Sequence, residues 1–203
     1  MLIRRFATTG MLRLVILGCG VALSAPLWCP DGVREARAAV SLEVTLPSLA
    51  KRATSIVVGT PTESRSLWEE NEGEGRRIVT YHRVRVASVV AGSTQQEVWV
   101  RTLGGRVGEI GQRVEGTAVL RANKPVLLFL LQRRNGTHAV LEMAQGAYPV
   151  ERTDTGEERI APPVAAGLLL RRRTGTSARA LLAGQRLSDA IAMIVAARSS
   201  DAK

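Results

Sequence analysis

Pro125-Val126-Leu127-Leu128-Phe129-Leu130-Leu131-Gln132 is the stretch whose reading decides the fold. Six consecutive apolar residues lie between Pro125 and Gln132, which fits a strand buried on both faces. A buried helix is the rival. Asn123 and Pro125 in front, and Asn135-Gly136 behind, bracket the run with turn residues and favour the strand. Asn-Gly between two strand patterns predicts a hairpin in which both central residues take positive φ, leading into residues 138–143. Asn135-Gly136-Thr137 also fits a glycosylation acceptor, a weaker reading than the turn.

Upstream of that run, Ser55-Ile56-Val57-Val58-Gly59-Thr60 is β-branched, is bounded by Pro61 and predicts a strand. A short helix is expected before it, with Pro47 in its first turn and Leu46, Leu49 and Ala53 on one side. Residues 62–76 read as a polar loop in which Glu69, Glu70, Glu72 and Glu74 crowd beside Trp68. A calcium site is conceivable there, but the EF-hand spacing is absent. Residues 77–90 form the longest strand candidate. Thr80, His82, Val84 and Val86 share one face; Tyr81, Arg83 and Arg85 share the other. In the next strand, Val98 and Val100 alternate with Trp99 and Arg101. Residues 103–118 are glycine-rich but match neither dinucleotide nor P-loop spacing, so they read as a surface loop.

Downstream, residues 147–151 and 158–160 predict a hairpin around Asp154-Thr155-Gly156. Ala161-Pro162-Pro163 reads as a domain end. A basic linker with Arg171-Arg172-Arg173 follows. A helix then starts at Ser188 as N-cap, with Asp189 in its first turn and Ile191, Ile194 and Val195 on one face. The expected division is a signal peptide over 1–38, an OB-like β domain over 39–160, a basic linker over 161–187, and a C-terminal helix and tail over 188–203. The fold class is mainly β: a small OB-like barrel or sandwich with one short helix before it and one after.

The first 38 residues read as a targeting segment: a basic start (Arg4, Arg5, Arg13), an apolar stretch, then Ala36-Arg37-Ala38 for a signal peptidase. Ala22-Leu23-Ser24 offers an earlier cut. The apolar stretch is shorter than the ~20 residues a spanning helix needs, so no transmembrane anchor is expected in the mature chain. Cys19 sits in a partial lipobox, and Arg4-Arg5-Phe6 is a weak twin-arginine match. The expected destination is the periplasm or the extracellular space. Both cysteines, Cys19 and Cys29, precede Ala38. A mature chain from Ala39 therefore has no disulfide, thiol nucleophile or cysteine-ligated metal. Three of the ten net positive charges leave with the leader, and seven remain. That balance suits an anionic partner or a merely solvated surface.

The ordered motifs resemble a known family. Ala53-Thr54-Ser55-Ile56-Val57-Val58-Gly59, then Val84, Val86, Val89 and Gly92, then Leu103-Gly104-Gly105, then residues 126–130, then Ala144-Gln145-Gly146 are similar to an exported bacterial family without an established activity. Its members are often encoded near matrixin-like metalloproteases. More distantly, the same order resembles the netrin and tissue-inhibitor-of-metalloproteinase modules, which are OB-like barrels. The resemblance covers roughly residues 48–150. Those inhibitors chelate the protease zinc through an N-terminal cysteine. The mature chain lacks one, so that activity and its residues do not carry over.

For catalysis, His82 and His138 are the only histidines, the aspartates after residue 38 are Asp154, Asp189 and Asp201, and no Gly-x-Ser-x-Gly elbow occurs. By alternation Glu142 shares a face with His138, and with His82 it offers a thin metal-site candidate. Neither a cofactor nor a metal is expected. With only Trp68, Trp99, Tyr81, Tyr148 and Phe129 after residue 38, the chain has little to stack on bases, which argues against nucleic acid. The function expected is that of a non-enzymatic interaction module, with a co-exported protease as protein partner. An anionic envelope polymer or lipid is the alternative, and a metal-dependent hydrolase ranks last. The candidate binding residues are Tyr81, Arg83, Arg85, Trp99 and Arg101, which antiparallel pairing would join into one aromatic and arginine patch.

Overall fold

A computed structural model describes residues 40–71, 75–164, 168–170 and 175–200. The expected signal peptide, both cysteines and Arg171-Arg172-Arg173 lie outside them. In chain order the elements are β1 (Val40–Leu42), α1 (Leu46–Arg52), β2 (Ser55–Asn71), β3 (Gly75–Gly92), β4 (Glu97–Leu103), β5 (Gly105–Val107), β6 (Ile110–Gln112), β7 (Val126–Gln132) and β8 (His138–Val140). After a 3-10 turn over Met143–Gly146 come β9 (Ala147–Arg152), β10 (Glu158–Ile160), β11 (Leu168–Leu170), α2 (Ala178–Leu182) and α3 (Leu187–Ser199).

The long apolar run is a strand with two buried faces over residues 126–130; the sixth apolar residue, Leu131, is exposed instead. Val126, Leu128 and Leu130 point into one core with Val57, Val84, Val98 and Val100. Leu127 and Phe129 point into another, with Ile56, Val58 and residues of all three helices. This double burial explains why the run shows no polar alternation. β7 pairs antiparallel with β2, β2 with β3, and β3 with β4. β4 pairs parallel with β8, and β8 returns antiparallel to β7. The result is a five-stranded, OB-like ring. It is only partly closed, because the β4–β8 ladder has two register pairs, Val100↔His138 and Arg101↔Ala139. β9 and β10 extend the sheet beyond β7. The fold is mainly β, as expected from the sequence.

Several local expectations are corrected. Residues 62–76 are mostly not a loop: 62–71 continue β2, and Gly75 and Arg76 open β3. Their polar side chains satisfy one another across the ribbon. Glu70 lies opposite Arg76 and Glu69 opposite Arg77, and the Ser66 and Thr80 hydroxyls are 2.9 Å apart. Arg76 lies 5.2 Å over the Trp68 ring. Pro61 does not end the strand, because the register shifts between Pro61 and Glu63, and a bulge tolerates the missing donor.

The Asn-Gly turn differs in type. Gly136 alone has positive φ, +79°, and its N–H donates to Arg133 O at 3.0 Å. Asn135 Oδ1 instead accepts from the Thr137 N–H and hydroxyl, at 3.2 and 2.7 Å. This is a longer loop with a left-handed glycine rather than a two-residue turn. The glycine-rich segment contains the small β5–β6 hairpin.

The strand expected over 138–143 stops at Val140, and Glu142 and Met143 adopt left-handed φ of +52° and +56°. Alternation therefore no longer relates Glu142 to His138, and the Glu142 carboxylate pairs with Arg52.

The division at residues 161–187 is also corrected. α2 buries Ala178 and Leu182, and α3 buries Ala190 and Ile194, in the same core as Leu49, Phe129 and Tyr148. The Gly184 N–H donates to Ile160 O at 2.7 Å, and the Ile160 N–H to Gln185 O at 2.9 Å, so this segment covers the β10 edge. β11 pairs in parallel with β1. The N-cap of α3 is Arg186 rather than Ser188, and Val195 is 44 % exposed. One Arg198 amino group donates to Ala50 O and Ala53 O, at 2.8 and 3.0 Å, capping α1. α1 itself matches expectation: Thr45 caps it, Pro47 sits in the first turn, and Leu46, Leu49 and Ala50 are buried.

Candidate functional site

Period-two alternation places Tyr81, Arg83 and Arg85 on the face of β3 that points away from the barrel interior, and Trp99 and Arg101 on the same face of β4. The register joins them: Tyr81 lies opposite Arg101, and Arg83 opposite Trp99. Arg85 faces Glu97. The Arg83 guanidinium sits 5.8 Å from the Trp99 ring centre, and Trp99 is 38 % exposed.

Three carboxylates interleave with these cations. Glu63 Oε2 accepts from Arg83 at 2.6 Å, and Glu97 approaches Arg83 at 3.8 Å and Arg85 at 4.0 Å. Glu69 accepts from the Tyr81 hydroxyl at 2.9 Å and from Arg101, and Arg133 stands 3.9 Å away. Burial raises the Glu69 pKa. Hydrogen bonds from Arg101 and Tyr81, with the charges of Arg101 and Arg133, outweigh that and hold it below the ordinary 4.5. The cations of this face are therefore matched by neighbouring carboxylates. Its exposed ion pairs are each worth only about 0–1 kcal/mol.

Sequence reasoning missed Glu63 and Glu69, because it read residues 62–76 as loop. No polar and apolar alternation in residues 63–69 announces the strand, whose pairing with β3 is what brings Glu63 and Glu69 to this face. Arg133 was beyond that logic, since it reaches Glu69 from the turn after β7.

The opposite face of β3 carries a buried polar chain. His82 Nδ1 is 2.8 Å from the Ser64 hydroxyl, and Nε2 is 3.0 Å from Thr102 Oγ1. Thr102 Oγ1 donates in turn to Thr80 O at 3.4 Å, which makes it the acceptor of a His82 Nε2–H and leaves Nδ1 to accept from Ser64. Burial lowers the His82 pKa from 6.5 to about 4, so the ring is neutral at pH 7. The partner that would orient a catalytic histidine is a carboxylate in the usual triad; here it is a hydroxyl. His138 lies two strands away, on the other side of Val100, and its pKa is also lowered by burial. Both His82 nitrogens are engaged. Among the described residues no three His, Cys, Asp or Glu converge as a metal site, and no helix is long and apolar enough to cross a membrane.

No family model matches the chain, and no curated protein matches it.

Proposed function

We propose that this chain is an exported, non-enzymatic interaction module, periplasmic or extracellular, that captures a protein partner on the outer face of β3 and β4. The observation that carries the reading is Trp99, an exposed indole under the Arg83 guanidinium with Tyr81 and Arg101 beside it. Tryptophan, tyrosine and arginine dominate binding hot spots. The carboxylates of Glu63, Glu69 and Glu97 hold the arginines in place, which lowers the side-chain entropy lost on binding. The family resemblance suggests a co-exported protease as partner.

The test compares the wild-type chain with Trp99→Ala and Arg83→Ala, using the partner that co-purifies from the native host and is identified by mass spectrometry. Each substitution should weaken capture by more than about 1 kcal/mol, roughly fivefold or more, and leave the thermal midpoint nearly unchanged. Unaltered capture, or a loss that follows unfolding, overturns the reading. A second reading, an anionic envelope polymer or lipid as ligand, draws on the seven net positive charges that remain after residue 38. Retention on immobilised heparin that collapses with modest salt would favour it.

A further inference from the structure

A groove of about 890 Å³ opens between the segment leading into β7 and the β9–β10 hairpin. None of the five β3–β4 candidates lines it. Its volume lies within the range of roughly 300–1,000 Å³ typical of small-ligand sites.

Two features of its wall point to a ligand with two halves. Val119 and Val164 line it and stand 48 % and 43 % exposed, a cost in water that an apolar ligand would relieve. Arg121 and Lys124 also line it, and they make no ion pair among the described residues. They occupy the first and last positions of a four-residue turn, closed by the Lys124 N–H donating to Arg121 O at 3.3 Å. Such a turn holds its ends within about 7 Å of each other. Asn123 supplies the left-handed φ, +59°, that the turn needs, and its N–H is anchored on Pro61 O at 2.8 Å. Two exposed cations thus leave one turn beside Val119 and Val164, while Glu151 stands among the residues lining the β9 side. The third cation, Arg152, is already matched by Glu158 at 3.4 Å.

The backbone around the groove argues against a peptide added as a strand. Pro125, Pro149 and Pro162 have no N–H to offer, and residues 184–186 already cover the β10 edge. We propose that the groove binds a single-chain anionic amphiphile, its head group between Arg121 and Lys124 and its apolar chain along Val119 and Val164. This site is independent of the β3–β4 face, and either can fail without the other.

The experiment uses the full chain and a dansyl-labelled fatty carboxylate kept below its micellar concentration. Laurate, dodecanol, acetate and phosphatidylglycerol vesicles serve as competitors. Saturable fluorescence enhancement is expected, displaced by laurate and about tenfold or more less well by dodecanol, since the alcohol forfeits charge-assisted contacts. Arg121→Ala combined with Lys124→Ala should weaken binding by about tenfold or more. Val164→Glu, at an exposed position that folding tolerates, should do the same by opposing the head group and wetting the wall. Equal competition by dodecanol or by acetate overturns the proposal. So does binding unchanged in the variants at an unchanged thermal midpoint, and so does co-sedimentation of the protein with the vesicles that laurate leaves undiminished, which would mark a membrane-surface contact instead.

Discussion

Leu182 and Ile194 belong to a segment that the sequence assigns to a linker and a separate tail, yet each is fully buried beside Leu49, Phe129 and Tyr148. Truncating either to alanine removes transfer free energy and leaves a cavity, at about 2–5 kcal/mol each. A domain of this size is stable by about 5–15 kcal/mol. The double variant, at about 4–10 kcal/mol if the two costs add, should lose most of that. The assay is urea unfolding at pH 7, followed by tryptophan emission. Trp68 on β2 and Trp99 on β4 report on the barrel strands rather than on the helices themselves. Each single variant should shift the tryptophan transition to lower urea with its steepness preserved. Val195→Ala, on the exposed side of the same helix, should stay within about 0.5 kcal/mol of wild type. If the tryptophan transition stays put while far-UV circular dichroism shows a separate early melting of helix, α2 and α3 are an appendage and the single-core reasoning is wrong.

Two further predictions concern ionisation. The His82 pKa is lowered from 6.5 to about 4, so the unfolded chain takes up its proton first. The stabilisation is complete above pH 6.5 and is lost as pH falls toward 4, by roughly 3 kcal/mol at the limit. His138 is shifted in the same direction. The urea midpoint should fall across that window in wild type and fall less in His82→Asn; parallel curves would exclude His82 as the source. Glu69 has a lowered pKa, so its contribution is present above 4.5 and lost on acidification below it. Glu69→Gln should cost about 2 kcal/mol at pH 7, the scale of a charge-assisted hydrogen bond. The deficit relative to wild type should shrink below pH 4.5, and a deficit independent of pH would show that shape rather than charge is at stake.

The parts of this molecule that the sequence makes legible are those in which one side-chain pattern has one physical reading. Turn residues on both sides favoured a doubly buried strand over a helix for residues 126–130, and the alternation along β3 and β4 put Tyr81, Arg83, Trp99 and Arg101 on one face. What stayed hidden depends on partners distant in sequence. The polar stretch 62–71 extends β2 because Gly75 and Arg76 begin a strand that satisfies it, a pairing that composition does not reveal. The tail lies against the barrel because Leu127 and Phe129 leave an outward apolar wall. Two buried residues per helix, Ala178 and Leu182 in α2 and Ala190 and Ile194 in α3, are too sparse to announce that destination. Pro162-Pro163 marked a change of direction, which a sequence shares with a domain boundary.

The two-faced β7 also sets an order in time. Strands β2 to β8 can pair as soon as they have been synthesised, and Val126, Leu128 and Leu130 then have their neighbours. Leu127 and Phe129 have only part of theirs, from α1 and β2, because Leu182 and Ile194 come later in the chain than every strand of the ring. Until α2 and α3 arrive, a growing chain carries an apolar wall that α1 covers only in part. Such a wall is a surface for chaperones to hold and a reason for the chain to remain unlocked while it is being made. Contacts that reach so far along the chain also make folding slow, so the closing helices act as the latch that converts a soft intermediate into the finished protein.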